Sequence, residues 1–255
     1  MDIQDEKNQL SEADLTWRPL VEKVSQFWRA ELLKRTGINL IVFTGSLFFT
    51  LILVEASVRA AFHESMDFDM EMWKYATQIK TISENQEAGF EHQPNRQAHL
   101  MGVNVATNSY GLRDNEVSLA KPENTYRIVV LGDSITLGWG VPQEQTYPAQ
   151  LEQFLNEQPP GIFPKGVHYE FLNLGVGNYN TVQEVSRLRN VGLQFDPDLI
   201  LLGYFINDAE PTPQPKTGFV VEKSYFYALV ASRLQRLSLL RGEAITYRDY
   251  YQSLY

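Results

Sequence analysis

Ser134 follows a short apolar run, Arg127-Ile-Val-Val-Leu131, through the turn residues Gly132 and Asp133, and apolar residues resume at Ile135. That order reads as a buried strand handing over to a helix, with Ser134 at the handover beside helix-start amides that lack intrahelical partners. A hydroxyl so placed can attack a carbonyl, and the amides can hold the negative charge that develops. The same tripeptide also fits an ordinary turn in which Asp133 or Ser134 caps the helix. Two later runs share the form. Phe171-Leu-Asn-Leu174 leads into Gly175-Val-Gly177-Asn178, and Leu199-Ile-Leu-Leu202 leads into Gly203-Tyr-Phe-Ile-Asn207-Asp208.

From about Asn108 to Asp208 the chain resembles the SGNH (GDSL-type) hydrolase family, on three ordered blocks. Gly132-Asp133-Ser134 matches the first, with Ile135 where the name-giving leucine usually stands, and Gly203-x-x-x-Asn207-Asp208 the third. In the second block Asn178 takes the place of the family glycine, beside Gly175 and Gly177. Asn keeps the backbone N–H and tolerates left-handed backbone better than most residues. The resemblance implies that Ser134 is a nucleophile forming an acyl-enzyme. It further implies that the oxyanion is held by the Ser134 amide, an amide at Gly177 or Asn178, and the Asn207 side chain. It also implies a C-terminal Asp-x-x-His as general base, and here no His follows His168. His92 and His99 lie in the lead-in to the first block, His63 lies next to the apolar span, and His168 starts the second strand, far from its catalytic end.

These residues need a scaffold that brings three strand ends together. Arg127–Leu131, a helix over Tyr147–Asn156, Val167–Leu174, a helix over Thr181–Val191, and Leu199–Leu202 give a β-α-β-α-β order of continuous apolar strands. That order argues an α/β fold, a parallel sheet covered on both faces, whose ligands sit at the carboxyl ends of the strands. Thr181 with Glu184 three residues on has capping-box spacing. The family resemblance implies a flavodoxin-like doubly wound sheet of about five strands, of which three are found. Two expectations fit that shortfall: the N-terminal part of a longer hydrolase, or a degenerate, non-catalytic relative.

The first sixty residues carry a separate signal. Met1 to Leu15 is polar and is expected to be disordered, and Trp17 to Leu33 has apolar residues at helical spacing with a basic side. Ile38 to Val54 has no charge for seventeen residues, about 26 Å as helix at ~1.5 Å per residue, enough to cross the hydrocarbon core. A buried soluble helix and a cleaved signal peptide ending near Val54-Glu55-Ala56 are the alternatives. Lys7, Arg18, Lys23, Arg29, Lys34 and Arg35 precede the span, which places the N-terminus inside. The expected organisation is a cytoplasmic tail with an amphipathic helix (1–36), a transmembrane signal anchor (37–62), a stalk and lead-in segment (63–124) and the hydrolase domain (125–255). The lead-in is expected beside the cleft, as a lid or as a brace. Pro211, Pro213 and Pro215 are expected to rim it.

A net charge of −9 over 255 residues, with no basic face, argues against nucleic acid as a partner. There is no Cys, hence no disulfide or thiolate metal site, and no H-E-x-x-H, phosphate loop or dinucleotide fingerprint. No metal or organic cofactor is implied. The expected function is an extracytoplasmic, single-pass ester hydrolase of the bacterial cytoplasmic membrane, acting on an ester-containing small molecule, a lipid or an acylated glycan. An acyltransferase or deacetylase on a surface polysaccharide shares the same nucleophile, and a binding or scaffold protein in which Ser134 only caps a helix is the third reading.

Overall fold

The computed structural model describes residues 3–209, 211–212 and 222–241, with side chains from residue 19 onward except that of Asn207. The loop prolines 213 and 215 and the Tyr-rich tail from 242 lie outside the described residues. The chain divides into two compact units, residues 1–56 and 57–255.

The described residues of the first unit are all helical. Helix α1 runs Ile3–Ala61 without interruption, with Pro19 inside it. Residues 3–15 are therefore helical rather than the expected disordered tail, and they contain neither Gly nor Pro to break the run. The segment Pro19–Ala61 is long and apolar enough to cross a membrane, and none of its most apolar window is buried within the protein. Such a helix near the N-terminus fits a signal anchor or a signal sequence alike.

The second unit is built on a three-stranded parallel sheet in the order β6-β5-β7, with β5 Thr125–Gly132, β6 His168–Asn173 and β7 Leu199–Gly203. From Arg127 onward β5 is buried on both faces, as befits a central strand. Its side chains alternate. Ile128 and Val130 pack with Phe171, Leu151 and Leu155, the latter two from helix α4 (Tyr147–Glu157). Val129 and Leu131 pack with Leu172, Phe195 and Leu188, the last from helix α5 (Thr181–Asn190). The chain thus leaves β5 for β6 over one face, then crosses the other face to reach β7 on the far side of β5. A sheet wound in both directions from one strand has its crevice at the carboxyl end of that strand, and here that end is Gly132.

Between the units' boundary and the sheet lie helix α2 (Phe68–Gln78) and two small hairpins, β1 Lys80–Ile82 with β2 Phe90–His92, and β3 Gln97–Leu100 with β4 Val103–Ala106. Helix-forming residue types run over Asp67–Ile82, but the helix ends at Gln78 and Lys80–Ile82 extend into β1. The second hairpin turns on Met101 and Gly102, both at positive φ (48° and 77°), the backbone of a tight two-residue turn. Helix α6 (Tyr225–Leu240), capped by Ser224, packs Tyr225 and Ala228 against Met70 and Trp73 of α2.

Candidate active site

Ser134 opens a one-turn helix, α3 (Ser134–Leu137), directly after β5. Asp133 is its N-cap: the carboxylate accepts the Ile135 N–H at 2.9 Å, which takes one of the free amides of the first turn. Capping therefore belongs to Asp133. The Ser134 side chain is partly exposed, and among the described residues neither its hydroxyl nor its backbone N–H makes a hydrogen bond. The turn is held from its other end by Arg113 of the lead-in segment. The fully buried guanidinium donates to the carbonyls of Leu137 (2.8 Å) and Gly138, and to that of Val141 at 2.6 Å. A cation on the C-terminal carbonyls of a helix satisfies orphan acceptors and complements the local dipole.

The neighbouring strand ends meet α3 directly. Val176 N–H donates to Gly132 O at 3.1 Å, and Asn173 Nδ2 donates to Thr136 O at 2.8 Å. A Cβ on Gly175 would stand 2.4 Å from Leu137 N, so the second loop lies against the backbone of α3 with no room for a side chain. On the other side Gly203 pairs alongside Gly132, and a Cβ there would stand 2.8 Å from Thr136 Oγ1. The three loops following β5, β6 and β7 therefore leave one edge of the sheet. Asn207 lies in a single 3₁₀ turn (Ile206–Ala209) four residues past Gly203, with its side chain outside the described residues.

Within the second loop the two candidate amides differ. Gly177 N–H donates to Tyr75 Oη at 2.8 Å and is already engaged. Asn178 has φ of 67°, and among the described residues its N–H has no acceptor. That φ is the left-handed backbone Asn tolerates better than most residues. The cap of helix α5 is Asn180, one residue before the Thr181 expected from sequence. Asn180 caps it by accepting Gln183 N–H at 3.0 Å, and Gln183 Oε1 accepts Asn180 N–H at 3.2 Å. Glu184 is thereby freed from capping and turned inward.

That inward acid joins two others. Glu184 and Asp208 are buried, and neither Glu184 oxygen nor Asp208 Oδ1 has a partner among the described residues. Burial, reinforced by the carboxylates of Asp208 and Asp133, pushes the Glu184 carboxyl up to about 8, so it holds its proton at neutral pH. Asp114 is pushed up to about 7, chiefly by burial, although its carboxylate accepts Asn173 N–H at 3.0 Å. Sequence patterning missed Arg113, Asp114, Tyr75 and Glu184 because each acts across large separations along the chain. Arg113 and Asp114 come just after the turn residue types of Asn108-Ser-Tyr-Gly111, which is the one clue the sequence carries.

The histidines lie elsewhere. His92 is buried, its Nε2 2.6 Å from Tyr75 Oη and its Nδ1 3.2 Å from Gly111 O. His99 is exposed and pairs with Asn104 Oδ1 at 3.0 Å, on the face of β3 opposite Ala98 and Leu100, which pack with Leu137. His168 pairs with Thr125 at the opposite end of the sheet from Ser134, and His63 lies exposed between α1 and α2. Among the described residues no group of three or more His, Cys, Asp and Glu side chains could hold a metal ion.

No family model matches the chain, and no curated protein matches it. Among solved structures it is similar to AlinE4, an SGNH-hydrolase family esterase, at 24% identity over 48% of this chain and 57% of that one, with a TM-score of 0.26. It is similar also to a point mutant of esterase AlinE4, at 23% identity with the same coverage and TM-score. The chain spans just over half the length of these structures.

Proposed function

We propose that this chain carries the nucleophile and the oxyanion-binding half of a serine ester hydrolase of the SGNH type, anchored in a bacterial cytoplasmic membrane by α1 with the second unit outside. The observation that carries the reading is that, among the described residues, the Ser134 hydroxyl and two amides, Ser134 N–H and Asn178 N–H, make no hydrogen bond and lie on loops that leave one edge of the sheet. Ser134 Oγ would form a bond to the acyl carbon of an ester. The amides and the Asn207 side chain would hold the tetrahedral oxyanion, and the alcohol would leave before water releases the acid. Asn178 is preferred to Gly177 as the loop donor because the Gly177 amide is spent on Tyr75. The reading requires a general base that takes the Ser134 proton and returns it to the leaving alcohol.

Anchoring is supported by the apolar length of α1, and its orientation by the six basic residues ahead of the span against Arg59 and Lys74 behind it. The test is labelling with a fluorophosphonate and hydrolysis of p-nitrophenyl acetate by the full chain. Ser134→Ala should abolish both, and Asn207→Ala should slow hydrolysis by about 10² to 10³-fold. Labelling or turnover that survives Ser134→Ala removes the nucleophile assignment. A wild-type chain that neither labels nor turns over favours the non-catalytic reading.

A further inference from the structure

Gly177 is gripped at both of its polar atoms by the segment that precedes the sheet. Its N–H donates to Tyr75 Oη at 2.8 Å, and its carbonyl accepts from Lys80 Nζ at 2.7 Å. Tyr75 comes from α2 and Lys80 from β1, about a hundred residues earlier in the chain. The ring of Tyr75 lies so close over the Gly177 Cα that an added Cβ would stand 2.8 Å from Cε1 and 3.2 Å from Oη. Only glycine fits beneath it. The loop's next aromatic, Tyr179, is tied to the same hairpin by donating its hydroxyl to Phe90 O.

The grip is itself fixed by a directed chain of hydrogen bonds. Gly111 O can only accept, so His92 Nδ1 carries a proton toward it and Nε2 is left as an acceptor. Tyr75 therefore donates its own proton to His92 Nε2 and turns a lone pair toward Gly177 N–H. Burial, with Arg187 and Lys80 adding to it, keeps the His92 imidazole neutral by lowering its pKa well below the usual range. Lys80 Nζ is buried between aromatic faces, 4.4 Å from the Tyr75 ring centroid and 3.9 Å from that of Phe90. Both groups come at the cost of desolvation, a cost that packing alone would not require.

We infer that Tyr75 and Lys80 are positioning residues that clamp the Gly177 peptide and so hold Asn178, one residue on, with its N–H turned toward the oxyanion. The inference rests on the proposed ester-hydrolase reading and extends it to the lead-in segment, which acts as a brace for the loop. The Gly177 N–H and C=O lie in the two planar peptide groups on either side of its Cα, and the group that carries the C=O also carries the Asn178 N–H, so pinning both fixes the direction of that N–H. Without the clamp an αL residue beside a glycine has many orientations open to it, and a donor that must first be ordered stabilises a transition state less.

The test uses phenylboronic acid and the full chain in detergent, because boron adds to Ser134 Oγ without needing the general base. The hydroxyl proton goes to solvent, an O–B bond forms, and a boronate oxygen stands where the oxyanion would be. Wild type should bind, Ser134→Ala should not, and binding should move the Asn178 amide proton downfield in a ¹⁵N–¹H spectrum. Tyr75→Phe and Lys80→Met should each weaken binding by about tenfold or more and shrink the Asn178 shift, while amides of β5 and α4 stay in place. Lys80→Met, which keeps the stem and the ring contacts, decides the matter if Tyr75→Phe fails to fold. Variants that bind as wild type with the full Asn178 shift overturn the clamp. Wild type that fails to bind, or Ser134→Ala that binds equally, instead overturns the nucleophile assignment and with it the clamp's purpose.

Discussion

At the residue scale the burial of Glu184 near the Asp208 carboxylate has a measurable signature. Glu184 holds a proton up to about 8 in the folded protein against 4.5 for the free side chain, so between those values the unfolded chain binds fewer protons than the folded one. Stability must then fall as pH rises through that window, by on the order of 3 kcal/mol between pH 5 and 8 if Glu184 acts alone. Glu184→Gln should flatten the dependence of Tm on pH over that range relative to wild type. Two curves that run parallel would show that Glu184 is not the group being titrated. Asp114, raised to about 7, adds a slope of the same sign that the Gln variant leaves in place. In the sequence Glu184 was legible only as a capping-box member, because spacing from Thr181 is visible and burial is not. The true cap, Asn180, is the stronger capping residue type by a small margin, and that margin shifts the register by one and sends Glu184 inward.

At the scale of elements, α3 is the part most exposed to single changes. It is one turn long and packs into the core through Leu137 alone among its apolar residues, so it depends also on Asp133 at one end, Arg113 at the other and Gly175 alongside. Arg113→Met takes the guanidinium donors away from the carbonyls of Leu137, Gly138 and Val141, of which Gly138 O keeps the Val141 N–H, and should cost about 3 kcal/mol or more, read as a lowered urea midpoint. Gly175→Ala drives a Cβ into backbone that cannot yield and should cost about 2 kcal/mol or more, with Gly161→Ala or Gly166→Ala, where nothing obstructs the Cβ, as comparison. Of these two, Gly161 is the cleaner control because Gly166 has φ of 77°. The elements that carry the sheet were readable from continuous apolar runs, since β5, β6 and β7 are long enough for period and composition to speak. The hairpin β1-β2 was not, because three residues give no period, and β3-β4 showed only as strand-like apolar residues from Leu100 to Val105 around Gly102, its turn held by Glu71, whose carboxylate accepts Met101 N–H. The site was legible as three strand ends. The braces behind it were invisible, because nothing local in Tyr75 or Lys80 points to a peptide about a hundred residues away.

At the scale of the whole molecule, the apolar length of α1 predicts that the full chain stays with the membrane fraction through high-salt and alkaline washes. Release into the supernatant would count against a spanning helix. Protease added to intact spheroplasts should cut the second unit and leave the N-terminal tail protected if the basic residues ahead of the span face the cytoplasm. The sheet has its own consequence. Strand β7 is wholly apolar, Leu199, Ile200 and Leu202 remain around four-tenths exposed, and beyond it the described residues place no further strand. Such a margin is sticky: its amides and carbonyls invite annealing with any extended peptide of similar character. Concentrated preparations should therefore drift toward ribbon-like aggregates that bind thioflavin T, and Ile200→Lys should slow that drift while leaving the monomer's fold intact.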